Sequence, residues 1–532
     1  MAMKNCLLTC LLFMLTIFMA VPGYAQVISL HSDNPKLANT FNWAVQKALS
    51  FRVTGQKINT NYEIQPLLGH QENVPAIPSY WAGYFSRTAF YARDFAHGSP
   101  AAHFVGMDAE NFSMFEAFAK HCTADKKWFS WWALNFDGSV YTLDAPNPPG
   151  DQPYEGYPAD FLNPKGESFV REIPAMFDLV FRAYQCYLWT GDKRYLTNPH
   201  LFNMFEKVLN EFIGLHDADG NQVPEGKGSI WEGSATYNER NINPKEAGDE
   251  IAVLYQAQLA YAGFLAAAGE KEKARQATQK AADLYDYFNR EWSDIPGDSL
   301  YSCAVLQDGS KYSKFNKETS FLMPLYLITA PGQKTDHYLD FIEANIGSGF
   351  GKSGAGPEAP ENIESYTYLP ELFFQYNRVD AAYRYMNYII DILEKPHEVA
   401  AQGNNGNYPE ISFMLLRHIV EGMMGVSPDA PGKMISTIPR LPADTKQLEL
   451  SNLQIGQQHI DLVHTGNKGS SLHYKKGVGT LSWEAAFYGS FTSFLVNGKK
   501  IEAKHKKLNG ELISYIVLTL KQGQSRMVNA VQ

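Results

Sequence analysis

Cysteine is scarce in this chain of 532 residues, which contains only five. Two of them fall within the first 25 residues, so the rest of the chain holds Cys122, Cys186 and Cys303. An odd and sparse set of this kind does not form a disulfide framework. We expect buried thiols, with at most one disulfide.

Long runs of like charge and long apolar runs are also rare. The net charge of −10 is spread along the chain, which argues against nucleic acids and anionic membranes as partners. Residues 1–25 form the one long apolar segment, with Lys4 before it and the small residues Gly23 and Ala25 at its end. These features are typical of a cleaved secretory signal. We therefore expect a periplasmic or secreted protein that does not span a membrane.

Amphipathic helical patterns follow one another from Asn34 to about Ser427, and about twelve helices are predicted, one of them over residues 79–97. Several neighbouring pairs are joined by a short turn at Gly or Asn, residues that tolerate the left-handed conformation that ends a helix. Recurrent helical hairpins predict a solenoid or a closed toroid, and about six hairpins are what an (α/α)6 toroid requires. Long loops between the hairpins would then form a cleft at one mouth.

The pattern changes after about Pro431, where short alternating runs and the Asn497-Gly498 turn signal predict strands. The predicted fold is therefore mainly α: an (α/α)6 toroid followed by a small C-terminal antiparallel β-sandwich. The predicted division of the chain is a signal peptide at 1–25, a catalytic toroid at 26–431 and a β-sandwich domain at 432–532.

A polar loop around Trp231 and Glu232 is the first candidate for a functional site, because loops between rigid helices often carry function. An apolar ring against a carboxyl group raises the pKa of that group, which suits a general acid near neutral pH. An exposed acid beside a half-buried tryptophan is the alternative reading of this dipeptide. The high aromatic content, 13%, fits a ring-lined sugar cleft as well as ordinary core packing.

Helical hairpins followed by a small β domain resemble the six-hairpin glycosidase superfamily, which includes glucoamylases and α-L-rhamnosidases. Trp231-Glu232 resembles the Trp-Glu acid of the glucoamylases, although the loop that follows is longer here. Glu398 precedes a Gly/Asn-rich loop, a final helix and the segment Ile438-Pro439-Arg440-Leu441-Pro442, an order similar to that of the rhamnosidase-like members. The resemblance implies that Glu232 is the catalytic acid and Glu398 the base of an inverting, exo-acting hydrolase.

The resemblance also implies which residues bind the sugar. An Arg-Asp pair near the first hairpins holds sugar hydroxyls in this superfamily, and Arg93-Asp94 matches it. Arginine and histidine in the same segment would grip a carboxylate, which suggests an acidic sugar such as glucuronic acid on an oligo- or polysaccharide substrate. The predicted substrate-binding residues are Arg87, Tyr91, Arg93, Asp94, His97, Trp231, Tyr366 and Tyr368.

Glu361, Glu364 and Glu410 are reserve candidates for the catalytic acids, although each could instead be an acid that stabilises a helix N-terminus. No metal site and no cofactor are predicted. Two alternatives stay open at this point. One is a polysaccharide lyase or unsaturated uronyl hydrolase on the same toroid, in which Tyr91, Arg93 and His97 would serve. The other is a non-catalytic glycan-binding protein.

Overall fold

Outer and inner helices alternate along the chain. The computed structural model describes residues 28–63, 65–85, 88–141, 170–228, 230–238, 242–347 and 362–531, without the side chains of 61–71. The outer helices are α1 (Pro35–Ser50), α3 (Asp108–His121), α6 (Pro199–Lys207), α9 (Lys271–Tyr287), α11 (Gln333–Ile346) and α14 (Val379–Asp391). The inner helices are α2 (Ala92–Phe104), α4 (Ile173–Thr190), α8 (Gly248–Ala267), α10 (Glu318–Leu325), α13 (Tyr368–Gln375) and α15 (Pro409–Arg417).

Shorter helical pieces extend this pattern. They are the helices α5 (Arg194–Thr197), α7 (Ile213–His216) and α12 (Ile363–Tyr366), and the π-helical turns Val208–Phe212, Phe288–Trp292 and His418–Met423 that continue α6, α9 and α15.

The inner helices close into a ring. Contacts run in the order α2, α4, α8, α10 and α13; α13 then packs against the π-helical turn His418–Met423 that continues α15, and α15 packs back against α2. Outer helices cover the ring, for example α9 on α8, α14 on α13 and α1 on α15. The predicted (α/α)6 toroid is therefore confirmed.

The sequences of the helices explain their two positions. In α9 the buried residues Ala274, Ala277, Ala281 and Leu284 recur every three or four positions, so this helix buries one face. Helix α8 is buried on nearly all sides and carries no charge after its first turn. A Cβ at Gly263 would lie 2.3 Å from Tyr184, so the close approach of α8 to α4 requires glycine there.

Side-chain contacts join the N-terminal ends of the inner helices: Tyr408 before α15 contacts Asp94 of α2, and Thr236 links Asp249 of α8 to Thr319 of α10. These N-terminal ends, together with the long connections that precede the helices, meet at one mouth of the toroid.

The C-terminal ends of the inner helices meet the β domain: His103 Nε2 lies 2.8 Å from the carbonyl oxygen of Gln454, and Asn509 Nδ2 donates to the carbonyl oxygen of Gln375 over 3.0 Å. The β domain therefore covers the end opposite the mouth.

Two sheets form the β domain. The seven-stranded sheet has the order β1-β11-β12-β13-β19-β15-β16 and the five-stranded sheet the order β17-β18-β14-β10-β9. Phe487 of one sheet packs on Phe494 of the other with ring centroids 5.5 Å apart, as expected for a sandwich. The strands are β1 (Ser29–Ser32), β9 (Ser427–Asp429), β10 (Met434–Thr437), β11 (Gln447–Ile455), β12 (Gln458–Thr465), β13 (Gly469–Lys476), β14 (Thr480–Tyr488), β15 (Ser493–Val496), β16 (Lys499–Glu502), β17 (Lys504–Leu508), β18 (Glu511–Lys521) and β19 (Ser525–Val531).

Two of these strands lie before residue 432. Strand β1 pairs antiparallel with β11, so that Ser29 is opposite Ser451, and β9 pairs with β10. Residues predicted to belong to the toroid therefore extend both sheets. Pairing along a sheet edge satisfies backbone groups that would otherwise be left open.

The chain between α1 and α2 differs from the helix predicted over 79–97. A short strand, β4 (Ala89–Tyr91), pairs with β5 (Ala133–Asn135), and α2 begins only at Ala92. The remaining strands are β2 (Lys57–Glu63) with β3 (Gln65–Pro75), and β6 (Glu246–Ala247), β7 (Ala304–Val305) and β8 (Lys311–Tyr312). Within the described residues, no helix combines the length and apolar character that crossing a bilayer requires.

Candidate active site at the toroid mouth

Buried carboxylates mark the mouth, where the inner helices begin. Carboxylates near helix N-termini are stabilised by the exposed N–H groups and the helix dipole. Repeating this arrangement around a ring gathers acids at one place. The acids are Asp94 of α2, Glu172 before α4, Asp249 of α8, Glu318 of α10, Glu364 of α12 and Glu410 of α15, all buried.

Side-chain contacts join these helix ends to one another. The Tyr408 hydroxyl, just before α15, donates to Asp94 of α2. Ser365 donates to Glu318, and Thr367 lies 3.5 Å from Glu410 Oε1. These contacts hold the carboxylates in fixed orientations.

Glu232 lies in the connection that enters α8. Its neighbour Trp231 is buried against Val170 and Ile230, while Glu232 itself is exposed to solvent. Arg171 donates to the carbonyl oxygen of Trp231, which ties this loop to the segment before α4. The apolar ring expected from the sequence is therefore in place, but the carboxyl group faces solvent.

Glu398 lies in the connection that enters α15 and is also exposed. The loop that carries it is compact, because the amide of His397 donates to the carbonyl oxygen of Gly403 over 2.7 Å and that of Asn405 to Lys395 over 2.9 Å. In the closed ring α8 and α15 are three positions apart. The connections that carry Glu232 and Glu398 therefore enter helices on opposite sides of the same mouth. The assignment of Glu232 as acid and Glu398 as base stays a prediction.

Glu364 anchors the loop of Glu398. His397 Nε2 donates to Glu364 Oε1 over 3.0 Å, while His397 Nδ1 accepts from the amide of Val399 over 3.0 Å. Burial alone would lower the pKa of His397, but the bond to Glu364 and the charge of that carboxylate raise it above 6.5. This reserve acid is therefore engaged with the residue next to Glu398.

Glu410 shares a second buried histidine. His97 Nδ1 contacts Glu410, and His97 Nε2 lies 3.2 Å from Glu371 Oε2. Burial would raise the pKa of Glu371, but Arg417 and Arg182 outweigh burial and lower it, while burial lowers the pKa of His97 to about 3. Neutral His97 carries one ring proton, which Nε2 donates to ionised Glu371, so Nδ1 can only accept. Glu410 must therefore carry the proton in its contact with Nδ1. Burial and the charge of Asp94 raise the pKa of Glu410, which agrees with a protonated acid.

His97 has no exposed side-chain surface, and both of its ring nitrogens are engaged. Direct binding of a sugar, as predicted from the sequence, is not available to it in this arrangement. It instead positions Glu410. Tyr368 stacks on the His97 ring with centroids 3.9 Å apart and an interplanar angle of 8°, and its side chain is buried as well.

The other predicted binding residues fall into three groups. Arg93 is half-buried and donates to the carbonyl oxygen of Tyr237 over 3.0 Å, and Asp94 is buried beneath it. Tyr91 and Tyr366 are buried, with Tyr91 packed on Trp132 and Tyr366 stacked on Tyr388, so both serve packing. Arg87, a predicted binding residue, lies outside the described residues, as does the reserve acid Glu361.

Asp249 was not predicted. It is fully buried at the start of α8, where its Oδ2 accepts from Tyr237 N over 2.7 Å and from Thr236 Oγ1 over 2.9 Å. Burial, assisted by the charge of Glu318, raises the pKa of Asp249 to about 7. An acid in the first turn of a predicted helix was the sequence signal for it.

A second acidic group lies away from the ring of helix N-termini, at Asp219, Glu225 and Glu246. Lys245 Nζ lies 2.7 Å from Asp219, 3.0 Å from Glu225 and 3.9 Å from Glu246. The lysine ammonium therefore supplies the counter-charge that a metal ion would otherwise provide.

Comparison with known proteins places this geometry in a fold family. No family profile and no curated protein matches the sequence. Solved structures do match: an α-L-rhamnosidase from Dictyoglumus thermophilum (14% identity, TM-score 0.57, 95% of this chain and 50% of that one) and a rhamnosidase of Bacillus sp. GL1 (12%, 0.54, 84% and 40%). An α-L-rhamnosidase of Streptomyces avermitilis, solved with L-rhamnose, is similar (11%, 0.53, 95% and 42%).

The chain shares the fold of these three rhamnosidases, a helical toroid with a β domain. At these identities the likeness concerns the fold alone, and the chain spans half or less of each of the three solved proteins. The toroid and its β domain are thus shared, while the chemistry has to be argued from this chain's own residues.

Proposed function

We propose that the protein is a glycoside hydrolase that acts on chain ends with inversion, with Glu232 as general acid and Glu398 as general base. The observation that carries this proposal is ring closure, which brings the connections of Glu232 and Glu398 to opposite sides of one mouth. Inversion needs two carboxyl groups about 6.5–9.5 Å apart, with room for a water molecule between the base and the sugar.

In this mechanism Glu232 protonates the glycosidic oxygen as the bond to the anomeric carbon breaks. Glu398 removes a proton from the water that attacks the opposite face of the sugar. The buried acids at the N-terminal ends of the inner helices would hold the sugar hydroxyls, since fixed carboxylates accept hydrogen bonds from hydroxyl donors. The signal-like segment 1–25 supports action in the periplasm or outside the cell on an oligo- or polysaccharide.

A neutral terminal sugar fits the described mouth better than glucuronic acid. The uronate hypothesis depended on an Arg- and His-rich segment, but His97 is buried and neutral. Arg93 remains at the mouth beside Asp94, Glu364 and Glu410. Glu410 is protonated, but Asp94 and Glu364 would still repel a substrate carboxylate, with Arg93 beside them as a single counter-charge, and this repulsion costs electrostatic energy.

The lyase alternative also loses support. Proton abstraction from a uronate needs an accessible base, and Tyr91 is 3% exposed while His97 has both nitrogens engaged. A non-catalytic glycan-binding protein remains the alternative that the kinetic experiment must exclude.

The test is turnover of chromogenic glycosides, neutral against uronic, by the unmodified protein and by Glu232→Gln and Glu398→Gln. General acid–base catalysis contributes about 10²- to 10⁴-fold, so each variant should lose that much on a substrate with a poor leaving group. A good leaving group needs no protonation, so it should restore Glu232→Gln but not Glu398→Gln. Glu394→Gln, an exposed acid four residues before Glu398, is the matched control and should keep full activity.

Near-native turnover of either variant on the poor leaving group would contradict its assignment. Turnover of no glycoside by the unmodified protein, with binding unchanged in both variants, would favour the glycan-binding alternative.

A further inference from the structure

A cavity lies at the end of the toroid opposite the mouth, away from Glu232 and Glu398. Its volume is about 290 Å³, and residues from α4, α8, α10, α13 and α15 line it. Arg440, from the segment that leads into the β domain, closes one side and donates to the carbonyl oxygen of Gly422 over 2.9 Å. We call this space, lined by Gln185, Gln256, Gln375 and His418 among others, the lower cavity.

The charged groups that line the lower cavity balance one another: Glu371 and Glu421 stand against Arg417 and Arg440, and Arg440 donates to backbone carbonyl oxygens. Arg417 lies 3.0 Å from Glu371 and 2.5 Å from Glu421, and Arg182 lies 3.6 Å from Glu371. A charged ligand would have to compete with these buried ion pairs. The lining therefore suits a neutral molecule.

Polar groups of the lining retain unused hydrogen-bonding capacity. His418 Nε2 lies 2.7 Å from the carbonyl oxygen of Thr367 and must donate to it, which leaves Nδ1 as an acceptor. That nitrogen is buried and has no partner among the described residues. Burial also lowers the pKa of His418 to about 4, so Nδ1 keeps its lone pair at neutral pH.

Three glutamines add to this pattern. Gln256 donates through its amide nitrogen to the carbonyl oxygen of Tyr326 over 2.7 Å, and Gln375 donates to that of Leu325 over 3.0 Å. Their amide oxygens are left as acceptors within the described part of the chain. Gln185 is the reverse case, because its oxygen accepts from Arg182 over 2.8 Å and its amide nitrogen remains a donor.

We infer that the lower cavity binds a neutral polyhydroxylated molecule the size of a monosaccharide. Three acceptors and one donor match a ligand rich in hydroxyl groups. Phe181, Leu327 and Phe374 provide apolar walls for its C–H faces. A volume of about 290 Å³ is near the lower end of the ~300–1,000 Å³ typical of ligand pockets and would otherwise hold about ten waters.

Solvent reaches the lower cavity, and a chain of side-chain contacts links its lining to an acid at the mouth. Gln185, Gln256, Leu327 and Gln375 are only half-buried, so solvent reaches the lining. Glu371 lines the cavity and contacts His97, which in turn contacts Glu410. A bound sugar would therefore touch the network that holds Glu410 in position.

The test is a crystal structure of the full chain soaked with L-rhamnose, D-glucose or glycerol, with D-glucuronate as the charged probe. Calorimetric titration with the same probes follows for Gln256→Leu and Gln375→Leu. We expect density for a neutral sugar between Gln256 and His418, and about a tenfold weaker affinity in each variant, because each leaves a ligand hydroxyl unpaired. Gln279→Leu, on the exposed face of α9, is the control and should bind as the unmodified protein does.

Water alone in the lower cavity at saturating sugar would overturn the inference, as would an affinity that neither cavity variant changes. Sugar seen only at the mouth would also overturn it. If Gln256→Leu fails to fold, Gln375→Leu and the soaked crystals still decide the matter. Loss of hydrolysis in Glu232→Gln tests the proposed function separately, and that substitution lies outside the residues that line this cavity.

Discussion

Replacing Glu364 by glutamine tests how the loop of Glu398 is held. The His397–Glu364 hydrogen bond is 3.0 Å long, and the two side chains are 0% and 9% exposed. A hydrogen bond to a charged group contributes about 1.5–3 kcal/mol, roughly twice a neutral one, so removing the charge should cost about 0.8–1.5 kcal/mol. If the anchored loop is the active one, kcat/KM should fall about 4- to 13-fold.

The same variant should change the pH profile. In the structure His397 is neutral, because Nδ1 accepts from Val399 while Nε2 donates to Glu364. Its pKa is raised in the folded protein, so protonation adds a charged pair with Glu364 that is present at low pH and is lost as the pH rises through the raised pKa. In the unmodified protein, the anchorage of the loop and the activity that depends on it should therefore weaken, but not disappear, on the alkaline side. In Glu364→Gln the cause of the raised pKa is gone, so that decline should move to lower pH.

The assay is kcat/KM for a chromogenic glycoside across the neutral and alkaline range. His397→Asn and the double variant complete a cycle that isolates the pair. Glu394→Gln, whose carboxylate accepts from Asn404 Nδ2 over 3.2 Å in the same loop, is the control. An unchanged alkaline limb in Glu364→Gln, or an equal loss in Glu394→Gln, would refute the reasoning.

Three further predictions concern stability and reactivity. Glu371→Gln should lower the free energy of unfolding by about 1.5–3 kcal/mol, measured by denaturant unfolding, because Arg182 and Arg417 each lose one carboxylate partner and keep another, Asp178 or Glu421. Gly425→Ala should lower the melting temperature more than Gly106→Ala. Both glycines have positive φ, +55° and +74°, but a Cβ at Gly425 would lie 2.0 Å from a carbonyl oxygen, whereas nothing lies within 4 Å of one at Gly106. Iodoacetamide should modify Cys122, Cys186 and Cys303 only after unfolding, because burial raises the pKa of each thiol to about 12. Labelling of these thiols in the folded protein would contradict this prediction.

Local patterns carried most of the helical prediction. Periodic apolar residues and a terminating Gly or Asn identify a helix without reference to its neighbours. The helices predicted over 270–292 and 379–394 therefore correspond to α9 with its π-helical turn and to α14. The segment over 79–97 could not, because Ala89–Tyr91 pairs with Ala133–Asn135, more than forty residues later in the chain. Strand β1 has the same explanation, since its partner β11 lies at the other end of the chain.

The site was predictable in type but not in its connections. Glu364 and Glu410 could be selected as acids at helix starts, and the structure gives them buried partners from distant segments. His397 is 33 positions from Glu364 and His97 is 313 from Glu410, so no spacing rule pairs them. His97 was predicted to bind substrate because a sequence does not reveal that both ring nitrogens face protein carboxylates.

A crystal structure of Glu398→Gln with an intact glycoside is the most direct test of the catalytic assignment. We expect the glycosidic oxygen within hydrogen-bonding distance of Glu232, and a water between the anomeric carbon and residue 398, with the two side chains about 6.5–9.5 Å apart. Glu232 and residue 398 pointing into separate regions of the molecule, with the sugar between other acids, would contradict the account.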